Sequence, residues 1–114
     1  MDIELTQNAE YLLCVLYKAY VERSESAEFA DIAAYFGGSE DIQQDYITNW
    51  STDKIDNAAW ELSRKGLLAT QSGDDAVCQS ALTDDGIAYM ERRFGRKLDT
   101  LLQRLATLRT VLLG

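Results

Sequence analysis

Gly66–Gly86 reads "GLLATQSGDDAVCQSALTDDG". Leu68 and Thr70 alternate with Ala69 and Gln71. Val77, Gln79 and Ala81 alternate with Cys78, Ser80 and Leu82, and Gly73-Asp74-Asp75 supplies turn residues between the two runs. A period of two on both sides of a turn predicts an antiparallel hairpin over Leu67–Leu82. Thr83 or Asp84 then caps a helix whose acidic first turn suits its open N–H groups and its dipole.

Upstream of the hairpin the pattern is helical. A helix is expected from near Thr6 or Asn8 to about Arg23, with Ala9, Leu12, Leu16 and Ala19 at steps of three and four and Leu13, Tyr17 and Tyr20 widening the apolar face. Ser26 opens a second, shorter helix in which Phe29, Ile32, Ala33 and Phe36 form a stripe that Gly37 ends. "SEDIQQDYITNW" follows, with Ser39 as N-cap and Ile42, Tyr46 and Trp50 four apart, which predicts a short extra helix near 39–50. A third main helix starts at Ser51 or Thr52 and stops at Gly66. Successive residues about 100° apart put Ile55, Ala58, Ala59 and Leu62 inward and Asp53, Asn57, Trp60, Glu61 and Arg64 outward.

The helix after the hairpin is expected to run unbroken from Asp84 to Leu113. At 1.5 Å per residue its roughly 30 residues would span about 45 Å, too long for a domain of this size. Leu98, Leu101, Leu105, Leu108 and Leu112 are spaced 3, 4, 3, 4, the seam of a heptad coiled coil, and Leu102, Val111 and Leu113 broaden it. Two readings fit this row. In one the tail folds back on its own domain; in the other, the expected one, it is a homodimer seam. Gly95 interrupts the helix and marks where the domain-packed part gives way to the dimer part.

Composition limits the function. The chain has 114 residues and a net charge of -8, with five Lys/Arg against thirteen Asp/Glu in residues 1–66 and six against six in residues 67–114. A field of that sign repels nucleic acid at long range and favours a basic partner, although a local basic patch still binds phosphate. No apolar run approaches the roughly 18 to 20 residues that span a bilayer, so no membrane partner is expected. "MDIELTQ" lacks a secretory n-region and h-region, so a cytoplasmic protein is expected. There is no histidine and no Gly-rich phosphate loop. Asp74-Asp75 and Asp84-Asp85 have local roles in a turn and at a helix start, so no catalytic residue, metal or cofactor is expected. Cys14 and Cys78 lack metal-ligand spacing and are expected to be small buried side chains.

Three helices, a hairpin and a further helix, with "ELSRKGLL" entering the first strand and "LTDDGIAYME" leaving the second, resemble the winged-helix DNA-binding superfamily over roughly residues 5–92. The exit of Leu82, Thr83 and Gly86 is similar to that of dimeric bacterial regulators of the MarR and PadR types. The resemblance implies a mainly α fold with a small β-hairpin wing, that is, a winged helix-turn-helix over 1–92. A C-terminal dimerisation part over 93–114 would follow. It makes Thr52–Lys65 the recognition helix and Leu67–Leu82 the wing, so the expected function is a dimeric transcriptional regulator.

Lys54, Asn57, Arg64 and Lys65 are the candidate DNA-binding residues, since each can bond phosphate or a base edge. Asp53, Asp56 and Glu61 oppose them on the same helix, and Gly73-Asp74-Asp75 gives the wing tip the wrong sign. "ERRFGRK", with Arg92, Arg93, Arg96 and Lys97, reads as a solvated helix face. Trp60 either packs under the extra helix or anchors a protein partner. The alternative function is therefore an acidic protein-interaction module that keeps the fold without binding DNA.

Overall fold

A computed structural model describes residues 3–28, 30–95 and 98–113, with the side chains of 111–113 left out. Phe29, Arg96, Lys97 and the side chains of Val111, Leu112 and Leu113 thus lie outside the described residues. The chain is mainly helical with one small antiparallel hairpin. The elements are α1 (Gln7–Ser24), a 3-10 turn (Ala30–Ile32), α2 (Ser39–Asp45), α3 (Thr52–Arg64), β1 (Leu68–Gly73), β2 (Ala76–Leu82), α4 (Asp84–Phe94) and α5 (Leu98–Leu113).

The first helix is the centre of the molecule. Thr6 caps α1 by accepting from the Ala9 N–H at 3.2 Å. The consecutive residues Tyr11, Leu12, Leu13 and Cys14 are all buried, so this turn of the helix is covered on nearly every side, and Lys18 and Glu22 mark the open face further along. α3 and α5 pack on it, and Leu12, Leu16, Ile55, Leu62, Met90 and Leu101 meet in a single core. Cys14 lies in this core, where burial pushes its thiol up to about 12. Among the described residues no helix is long and apolar enough to cross a membrane.

The expected second helix from Ser26 to Gly37 does not form; only the 3-10 turn does. The Phe36 N–H donates to the Ser80 carbonyl at 3.0 Å and the Leu82 N–H to the Ala34 carbonyl at 2.9 Å, so Tyr35 makes an antiparallel bridge to Ala81. Backbone groups that a helix would pair internally are paired with β2 instead. Of the stripe's described residues Ala33 and Phe36 are buried and Ile32 is exposed, and the neighbouring Tyr35 is exposed as well. The short helix near 39–50 is present but ends at Asp45, and its N-cap is Gly38, not Ser39. The Ser39 hydroxyl instead donates to the Val77 carbonyl. Gln43 closes the turn into α3 by donating from Nε2 to the Trp50 carbonyl at 2.7 Å.

The hairpin follows the sequence pattern with one slip. Gln71 pairs with Gln79 and Ser72 with Val77, which leaves Cys78 as the extra residue of a β-bulge. The bulge changes which face each residue takes, so Val77 is buried together with Ser80 and Leu82, and Cys78 is exposed rather than buried as expected. At the strand exit the Thr83 hydroxyl oxygen accepts from the Gly86 N–H at 2.9 Å and its O–H donates to the Gly66 carbonyl at 2.7 Å. A Cβ on Gly86 would run into the Leu67 carbonyl. The Leu-Thr-x-x-Gly pattern is thus a clasp between the start of α4 and the end of α3.

The single long helix expected over 84–113 is two helices. Gly95 takes φ 63° and ψ -155°, the chain turns, and α5 lies back on α1. A straight rod of about 45 Å would overrun a molecule whose largest extent is 36 Å. Leu101, Leu105 and Leu108 are buried, Leu98 is half-buried and Leu102 is exposed. Leu101, Leu105 and Leu108 of the row are therefore covered within the same chain, where α5 packs on α1. Leu105→Asp should destabilise the single chain by about 3 to 5 kcal/mol through an unpaired buried charge. Urea unfolding checks this, with a lower midpoint that does not vary with protein concentration.

One carboxylate ties the helical layers together. Glu10 on α1 accepts from Arg104 Nε and Nη2, both at 2.7 Å, and from Arg93 Nη2 at 2.9 Å. The Arg104 hydrogen bonds hold the Glu10 carboxyl below its ordinary value, against burial that pushes it up, and Arg93 adds to the lowering. Its stabilising effect is complete above the ordinary carboxylate range and is lost as pH falls through the lower folded-state value. Both guanidinium groups are about one-third exposed, which sets the cost of Glu10→Gln at about 2 kcal/mol, between exposed and fully buried pairs. Stability curves at neutral and acid pH should converge for wild type and variant as pH falls, and curves that keep a constant gap would contradict the assignment.

Candidate nucleic-acid interface

α3 starts where Ser51 Oγ accepts from the Lys54 N–H at 3.2 Å, and its inward face is the expected one, with Ile55, Ala58, Ala59 and Leu62 buried. Asn57, Arg64 and Lys65 are exposed and Lys54 is half-buried, all on the outer side of the helix. The Lys54 ammonium lies 4.5 Å from the centroid of the Trp50 ring, a cation–π contact that fixes it at the N-terminal end of this face. Lys54 and Arg64 are ten residues apart, about 15 Å along the axis. A shallow groove of about 270 Å³ between Thr6, Asn8, Lys54, Asn57 and Glu61 runs beside the cation at the N-terminal end.

Two of the three acids that oppose these cations are committed elsewhere. Asp56 is only 3% exposed, and its Oδ1 accepts from the Val77 N–H at 2.9 Å, which fastens the hairpin to α3. Glu61 turns toward α1, accepting from the Thr6 N–H at 2.8 Å and the Thr6 hydroxyl at 2.7 Å. Asp53 is left exposed in the first turn, where a negative charge suits the helix dipole.

Trp60 is half-buried, and its indole N–H donates to Ser72 Oγ at 2.9 Å. That bond ties it to β1, not to α2. The residue beside the turn after α2 is Trp50, whose ring lies 5.4 Å from that of Tyr11. Asp74 and Asp75 at the hairpin tip both take positive φ, 53° and 63°. A two-residue hairpin of this hand needs that conformation, which Asp tolerates better than most residues, so the acidic tip has a backbone reason.

Arg93, read from sequence as part of a solvated basic face, belongs to the Glu10 cluster, while Arg92 is exposed. Sequence reasoning missed Glu10 and Arg104 entirely. The only local signal was a carboxylate at the head of the apolar run Tyr11–Tyr17, and nothing in the spacing indicates its distant partners. No protein-family model, curated protein or solved structure matches the chain.

Asp56 allows charge and hydrogen bonding to be separated. Asp56→Ala leaves the buried Val77 N–H without an acceptor and should cost about 1 to 3 kcal/mol. Asp56→Asn keeps an acceptor and should cost less, so equal losses in chemical denaturation would show that this bond does not hold the hairpin.

Proposed function

We propose that this chain is a winged-helix DNA-binding protein of regulatory type, with α3 as the recognition helix and the hairpin as the wing. The observation that carries the reading is the disposal of the acids on α3. Asp56 is buried against Val77, and Glu61, half-buried beside Lys54 and Asn57, has its oxygens taken up by Thr6, so Asp53 is the acid of that helix left without such a partner opposite Lys54, Asn57, Arg64 and Lys65. The order of elements supports it further. Tyr35 bridges to β2 between α1 and α2, and the two helices α2 and α3 precede the hairpin, an order compatible with a winged helix. A cytoplasmic location accompanies this reading.

A protein-interaction module is the second reading, and the hairpin tip favours it. Asp74 and Asp75 stand where a wing would meet phosphate, and the chain carries a net charge of -8. Under that reading the half-buried Trp60 is the anchor of the α3 face.

Lys54, Arg64 and Lys65 set the size of the expected salt effect. With three phosphate contacts the affinity should fall about forty-fold between about 50 and 200 mM salt, and Arg64→Ala should weaken binding and lower the salt slope by about 0.9. Fluorescence titration against random and genomic duplexes reads both. No binding at the lower salt by folded protein would refute the DNA reading and leave the interaction module.

A further inference from the structure

α5 is held by contacts that do not depend on which chain it belongs to. Leu101, Leu105 and Leu108 fill the side of α1, and Arg104 grips Glu10. The bend that lets α5 reach its own α1 includes Gly95, whose φ and ψ lie in a region essentially closed to other residues. Tyr17 of α1 secures the bend by donating to the Gly95 carbonyl at 2.6 Å. If the junction between α4 and α5, Gly95 included, takes helical angles, the two become one rod of about 45 Å, longer than the 36 Å extent of the molecule. Its second half then projects past its own domain, with the leucine row exposed and the side of α1 uncovered.

We propose that α5 exchanges between two copies of this chain. In the exchanged dimer each α5 docks on α1 of the partner subunit, through the same leucines and with Arg104 on Glu10 of the partner subunit, while Arg93 stays on the Glu10 of its own chain. Closed monomer and exchanged dimer make the same core contacts. They differ in the conformation of the α4–α5 junction that includes Gly95, in the Tyr17 bond that secures the bend, and in the entropy of association. The occupant of the α1 surface is thus α5 in both states, and the two predicted fates of the leucine row are alternatives open to one sequence. This inference does not rest on the DNA-binding reading.

Two measurements test it by sedimentation. Wild type should be mainly monomeric at micromolar concentration, and Gly95→Ala, which disfavours the bend and favours the straight helix, should double the mass while keeping helical circular dichroism. A second experiment mixes a chain carrying Glu10→Arg with one carrying Arg104→Glu. Each has like charges facing within its own closed form, whereas exchange restores an opposite-charge pair at both sites, so a 1:1 heterodimer more stable than either chain alone is expected. A Gly95→Ala chain that is monomeric or unfolded at these concentrations, or a mixture that forms no heterodimer, overturns the proposal.

Discussion

Because Glu10 is the acid that α1 carries into the buried interior, it must be met by partners, and the two that meet it come from different helices. Arg93 lies near the end of α4 and Arg104 in the middle of α5, so a single carboxylate fixes both sides of the bend at Gly95 relative to α1. The core leucines alone do not specify this angle, since apolar contact is non-directional. A bidentate guanidinium contact is directional, and it selects one register of α5 along α1. The other helices then follow from α1: Glu61 joins α3 to its N-terminus, and Asp56 joins the hairpin to α3.

The parts of the fold that were legible in the sequence are those whose partners are close in the chain. α1, α3, the hairpin and the start of α4 each carry their own pattern and cap, at Thr6, Ser51 and Thr83. The segment around Tyr35 was misread because Ile32, Ala33 and Phe36 happen to fall at helical spacing, while the β2 backbone that captures them lies more than forty residues away. Cys78 was misplaced for a smaller reason, a one-residue bulge that period-two counting does not register.

At the candidate interface the residue types were legible and their commitments were not. Counting signs along this stretch sets three acids against three cations, yet Asp56 is buried against Val77 and the oxygens of Glu61 are engaged by Thr6. The same holds elsewhere in this acidic chain: Glu10 answers two arginines, Asp84 and Asp85 sit at a helix start, and Asp74 and Asp75 make a turn. Net charge governs long-range approach, whereas a contact surface is governed by the charges left uncommitted, and the two point in different directions here.

The leucine row carries the same lesson for assembly. A spacing of 3, 4, 3, 4 specifies that a helix has an apolar side of a certain width; it contains nothing about the chain that covers it. What decides the matter lies outside the row, at a glycine whose conformation allows the chain to double back and at a tyrosine and a glutamate that reward it for doing so. Gly95 takes the place of a residue that would have continued the helix. In the exchange proposed above, the choice between a self-completed core and a shared one falls to the short junction that includes Gly95.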